Sequence, residues 1–276
     1  MQQLQEMTHL TIGSAKRLPL FPTEKHLRRA VRRVARVAGP RLALFGLIPT
    51  HLHLLALVGR AAAGRLMQAV ALSLRTVAAA RLAPGFPRPV EDHDHLDRLL
   101  RYFLRQTLKH KVPGHPALWT GSCLPDLTGA RLVPGLHGLR DRLELVLKDV
   151  SDERLYREAC LVQPPCPAGR DEVVELKAGG LVDAVARTFA VGPDLLGRSA
   201  QVVLVRRVAA HIGRKVGLAP TALAEALGIS GRTLRSQRAG AVTPAQLRAV
   251  SRMIGLRRAA SARAVELPQE EDPFAA

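Results

Sequence analysis

Thr8 to Ile12 alternates briefly around His9, the period of a short strand, which makes His9 either a strand-surface histidine, the favoured role, or one that approaches a site. From Thr23 to Ala38 the spacing changes to that of a helix. Leu27, Val31, Val34 and Ala38 form its apolar stripe, Thr23 stands as the N-cap, and Lys25, Arg28, Arg29, Arg32, Arg33 and Arg36 supply a basic flank. Two apolar runs, Arg41 to Ile48 and His51 to Val58, flank a Pro-Thr break and predict two strands. Ala61 to Leu82 predicts a long helix on the sheet, and Pro84 to Pro89 breaks the chain. Helical spacing returns at Leu96, Leu99, Leu100, Phe103 and Leu104, in the segment that carries Tyr102 and Gln106. The order predicts an α+β domain, with helices on one face of a small antiparallel sheet.

Periodicity weakens from Leu132 to Lys177, where Leu139 to Val150 predicts a helix and Gln163 to Gly169 a proline-rich linker. Gly180 to Arg258 reads as an all-α bundle. Within it, Thr221 to Arg238 has a helix, a Gly-Ile turn, a Ser230 cap and a basic second helix, the layout of a helix-turn-helix. The expected organisation is an α+β domain over 1–131, a connector over 132–177, the helix-turn-helix domain over 178–260 and an acidic, disordered tail over 261–276.

Charge narrows the partners. Forty-one Lys and Arg face 23 acidic residues, a formal net charge of +18, and each cation placed on a phosphate releases counterions, so a polyanion is the expected partner. An arginine-rich composition could raise the charge without binding anything, but the cations cluster on particular helices. The three cysteines, Cys123, Cys160 and Cys166, are an odd number without a CxxC pair, so neither a zinc knuckle nor a disulfide framework is indicated, which favours a reducing compartment. Arg65, Gln68, Arg75 and Arg81 interrupt the longest apolar stretch, and no secretory signal is visible. No membrane partner is expected, and the expected location is cytoplasmic, on the nucleoid.

His51 and His53 are two apart in a predicted strand, so both imidazoles project from one face. Such a pair is either hydrogen-bonded core or two ligands of a divalent ion. Tyr102 and Gln106 are four apart in a predicted helix and share its face. A second pair, His93 and His95, lies among Glu91, Asp92 and Asp94 at a helix start, which suits capping and surface display. Tyr156, the other tyrosine, lacks such a partner and reads as packing.

HLH followed by YFLRQ resembles the catalytic pair of the HUH-class single-strand tyrosine transposases, as does the lead-in FGLIPTHLHLLA. Trp119 to Ser122, WTGS, resembles a segment of the REP-associated branch, so the likeness spans roughly Thr8 to Gly129. That branch carries an asparagine-proline pair after its tyrosine. Here Gln106 and Thr107 stand in that place, and a glutamine is the third ligand of the insertion-sequence branch. The resemblance implies a ferredoxin-like HUH nuclease fold, a Mg²⁺ or Mn²⁺ ion on His51, His53 and Gln106, and Tyr102 as nucleophile. It further implies cleavage and rejoining of single-stranded hairpin DNA through a 5′-phosphotyrosine, in a monomer or a homodimer.

The segment from Phe189 through Leu218 with the helix-turn-helix resembles the DNA-binding domain of the bacterial replication initiator, where an arginine-bearing helix precedes the motif as Arg206 and Arg207 do here. The acidic-histidine-threonine signature of that domain is altered: Ser230, Gly231 and Arg232 precede Thr233. DNA contacts are expected from Lys25, Arg28, Arg29, Arg32 and Arg33, and from Arg206, Arg207, Arg232, Thr233, Arg235 and Arg238. The competing expectation is a catalytically silent DNA-binding regulator, which needs the basic surfaces and no metal.

Overall fold

A computed structural model describes residues 6–195, 197–238 and 240–261. The chain divides into two compact units, one built mainly from Met1–Leu127 and Pro134–Pro164, the other from Thr128–Val133 and Pro165–Arg258.

The first unit is α+β. Its strands β1 (Thr8–Gly13), β2 (Leu42–Leu47), β3 (His51–Ala56) and β4 (Phe86–Pro89) make an antiparallel sheet in the order β2-β3-β1-β4. Helix α1 (Glu24–Ala38) follows β1, α2 (Arg60–Leu74) follows β3, and α3 (His93–Lys109) follows β4. Alternation sorts the sheet into two faces. Leu10 and Ile12 of β1, Leu52 and Leu54 of β3 and Phe45 and Leu47 of β2 share one face, and all six are buried. Helices α1 and α2 pack on one another, α1 also on β2 and α2 on β1 and β4. The opposite face carries His9, Thr11, His51 and His53, and receives the tyrosine helix α3 through Tyr102 and Phe103. The expectation of all helices on one face is therefore corrected, because the buried stripe of α3 covers the histidine face.

Three further expectations change. The helix predicted over Ala61 to Leu82 ends at Leu74. Beyond it the backbone pairs elsewhere, Ala79 N–H donating to Leu20 O at 2.9 Å and Ala83 N–H to Gly13 O at 2.8 Å. The break at Pro84 to Pro89 contains strand β4, which an edge position permits: Val90 N–H points inward to Met7 O at 3.0 Å, so by alternation the missing N–H groups of Pro87 and Pro89 fall on the outer side. Leu139 to Val150 is helical only as α5 (Leu139–Glu144), after α4 (Leu124–Leu127). α5 is no free connector: Leu139 and Leu143 are buried, and Arg142 donates to Leu42 O of β2 at 2.6 Å. Helix α6 (Asp152–Glu158) buries Tyr156 and ties to α3 through the Arg105–Glu158 ion pair at 3.0 Å.

The second unit contains α7 (Arg170–Glu175), α8 (Lys177–Thr188), α9 (Ala200–Val216), α10 (Pro220–Ala226), α11 (Gly231–Arg238) and α12 (Pro244–Ser261). The pair α10–α11 occupies the segment read as a helix-turn-helix, with both helices packed on α9. The linker read over Gln163 to Gly169 is tied down where Ala168 O accepts from Ser251 Oγ at 2.6 Å. The acidic tail lies outside the described residues from position 262 on. No helix among the described residues is long and apolar enough to cross a membrane.

Candidate active site

Strand β3 delivers His51 and His53 to one face because they are two apart, and their rings meet edge to face with centroids 4.8 Å apart. Helix α3 is capped by Asp92, whose carboxylate accepts from His95 N–H at 2.6 Å. Its buried side, Leu96, Leu99, Leu100, Phe103 and Leu104, lays it on the sheet. That docking brings the Tyr102 hydroxyl to 2.9 Å from His53 Nε2. Gln106, one turn on, is 3 % exposed and sits over Gly46, the residue opposite His53 on β2. A methyl group on Gly46 would overlap Gln106 Oε1, so the glycine makes room for the carboxamide. Trp119 to Ser122 clamps the outer edge of β2: Trp119 Nε1–H donates to Leu47 O at 2.6 Å, and Leu47 N–H to Gly121 O at 2.9 Å.

The structure decides the role of His9 and adds Thr11, Thr50, Lys109 and His110 to the cluster. His9 is buried, not displayed on the strand surface, and its Nε2 lies 2.9 Å from His53 Nδ1. Thr11 Oγ1 approaches the same nitrogen at 3.1 Å. Thr50 Oγ1 is 3.0 Å from His51 Nδ1, and the His110 ring meets His51 edge-on at 4.7 Å. Lys109 Nζ stands 5.0 Å from the centre of the Tyr102 ring. The alternation of β1 that brought in His9 could have signalled Thr11 too, since both fall on the histidine face once β1 and β3 are neighbours.

Burial governs the electrostatics. It pushes His9 down to about 4, with His95 and Arg88 adding to the effect. It pushes His51 down to about 4, with His110 and Lys109 adding to it. His53 is held well below the ordinary histidine range, by burial first and then by His9, His51, His110 and Lys109. The imidazoles are therefore neutral at pH 7, the form that offers a lone pair to a proton or an ion.

Among the described residues, no three His, Cys, Asp or Glu side chains are grouped to hold a metal ion. The carboxamide of Gln106 lies outside that class. Its Nε2 is buried with no hydrogen-bond partner, and a half-turn of the amide would present oxygen there instead. Two neutral imidazoles with an unsatisfied buried amide fit a divalent cation.

The basic residues fall in two places. On α1, Lys25 and Arg29 are exposed, Arg28 pairs with Glu24 at 2.6 Å, and Arg32 and Arg33 are half-buried. The Arg32 guanidinium is held below its ordinary range by burial and by Arg28, Arg29 and Arg36. In the second unit, Arg232 and Arg235 are exposed on α11, and Thr233 N–H donates to Ser230 Oγ at 3.2 Å. Arg206 is turned inward instead, donating to Leu195 O at 2.8 Å and Gly197 O at 3.2 Å. Arg207 Nε is buried. The Arg238 side chain lies outside the described residues.

Searches against family models, curated proteins and solved structures returned no match to this chain.

Proposed function

We propose that this protein is a transposase-like endonuclease that cleaves and rejoins single-stranded DNA at hairpin or repeat sequences, with Tyr102 as nucleophile. The observation that carries the reading is the Tyr102 hydroxyl on His53 Nε2 at 2.9 Å, which sets the nucleophile against the nitrogen that would hold the ion, where a phenol gives up its proton most readily. His9 and Thr11 hold Nδ1 of His53, so with the proton there the single free lone pair of the ring is on Nε2, where it accepts from the phenol in this structure and would serve the ion when one is bound. The phenol oxygen attacks phosphorus, a P–O bond forms to Tyr102, and the bond to the 3′-oxygen breaks. The products are a 5′-phosphotyrosine and a 3′-hydroxyl, and reversal with the same or another 3′-hydroxyl rejoins the strand.

His51, His53 and Gln106 would hold the Mg²⁺ or Mn²⁺ ion. When bound, such an ion polarises a phosphoryl oxygen and offsets the charge that builds up during displacement. The strand order β2-β3-β1-β4, with helices after β1 and β3, is compatible with a ferredoxin-like HUH nuclease fold. The clustered arginines of α1 and the exposed Arg232 and Arg235 suit contacts to phosphates, in the single strand and in flanking duplex.

The test is incubation of the full-length protein with end-labelled single-stranded hairpin DNA and Mn²⁺, followed by a denaturing gel. A covalent protein–DNA band that disappears with a chelator is expected. Its absence with every hairpin and both ions would favour the second reading, a DNA-binding regulator. That reading draws on the helix pair α10–α11 with its exposed arginines.

A further inference from the structure

The histidine face of the sheet continues past the catalytic cluster onto β4. Thr11 stands opposite His53 on one side and opposite Phe86 on the other, so the three side chains form one row across β3, β1 and β4. In the next row Arg88 stands opposite His9. Neighbouring strands lie about 5 Å apart, which places the Phe86 backbone about 10 Å from that of His53.

Phe86 is 68 % exposed, more than any other large apolar side chain among the described residues. Arg88 beside it is exposed as well. The face is therefore open beyond Thr11, and an aromatic ring and a cation are displayed along its rim. Pairing with another β-strand does not explain the display. The positions of Pro87 and Pro89 leave no N–H to donate on the outer side of β4, and an added strand would need such donors.

We propose that Phe86 and Arg88 form a platform for the single strand next to the bond that Tyr102 attacks. The ring stacks one unpaired base, and the guanidinium takes a neighbouring phosphate. The inference rests on the function proposed above and specifies how its substrate is held. An exposed aromatic face beside a cation is the combination that binds single strands irrespective of sequence, since every base has a π-face. A duplex base is already stacked on both sides, so this platform selects unpaired DNA. The net charge of +18 favours a polyanion over an apolar protein partner at the same place.

The test places 2-aminopurine at successive positions in the single-stranded flank of a hairpin oligonucleotide and titrates full-length protein. Because Phe86 is on the surface, its replacement does not threaten folding. Wild type is expected to quench the probe at one position. Phe86→Ala is expected to lose that quench and to bind the single strand roughly tenfold more weakly, with duplex binding unchanged. Phe86→Tyr is expected to restore both, and Phe86→Leu neither. Unchanged quench and affinity in Phe86→Ala, or full recovery with Phe86→Leu, would overturn the platform, the latter pointing to an apolar contact instead. The two proposals fail separately. A quench that depends on Phe86 in a protein that never forms an adduct keeps the platform and removes the nuclease. An adduct formed at the wild-type rate by Phe86→Ala, with quench unchanged, does the reverse.

Discussion

Tyr102→Phe is expected to abolish the covalent adduct with single-stranded DNA while leaving the fold and DNA binding in place. The substitution removes one oxygen and keeps the ring, which meets His53 at 5.0 Å and Phe103 at 6.2 Å between centroids. What is lost is the hydrogen bond to His53 Nε2, about 1 kcal/mol of stability, and the oxygen proposed to attack phosphorus. Band-shift affinity on single-stranded and duplex DNA is expected to stay within about twofold, a change well under 1 kcal/mol. His53→Ala is a poorer control, because it strips partners from His9, Thr11 and Tyr102 together. An adduct of undiminished yield from Tyr102→Phe would remove Tyr102 from the chemistry.

Acid is expected to unfold the sheet unit well before most carboxylates titrate. His9 and His51 have folded values of about 4 against 6.5 for the free side chain. Between these values the unfolded chain binds protons that the folded one refuses. The stability is therefore fully present above pH 6.5 and is lost as pH falls toward 4. Each imidazole contributes on the order of 3 kcal/mol across that window, and His53 adds to the loss in the same direction. Trp119 is the only tryptophan and donates to Leu47 O on β2, so its emission follows this unit. Urea midpoints read from it, in chelator, are expected to fall steadily from pH 7 to pH 5, above the usual carboxylate range of about 4. A flat midpoint over that range would mean that the imidazoles are not buried as described.

The strand carrying His51 and His53 and the helix carrying Tyr102 and Gln106 were legible, because two-residue and four-residue spacings each place side chains on a common face. Legibility stopped where neighbours decide. The alternation around His9 was visible, but which side of β1 would be covered depended on α3 crossing the histidine face. Strand β4 was hidden by Pro87 and Pro89, which are tolerated only because β4 lies at the sheet edge with their nitrogens outward. Thr76 to Leu82 has helical composition, yet pairing with Leu20 and Gly13 through Ala79 and Ala83 prevails over local preference. Arg206 shows the same limit in the second unit, since a basic position on a helix does not reveal that its guanidinium will hold the carbonyls of its own loop.

The most direct measurement of the central claim is the mass of the DNA-linked peptide after trypsin and nuclease digestion of the adduct. Cleavage after Arg101 and Arg105 releases Tyr102 in the peptide Tyr-Phe-Leu-Arg, while the other tyrosine, Tyr156, leaves in the separate peptide from Leu155 to Arg157. The expected result is a nucleotide joined through its 5′-phosphate to the first of these. Linkage to the Tyr156 peptide, linkage through a 3′-phosphate, or no linked peptide at all would contradict it.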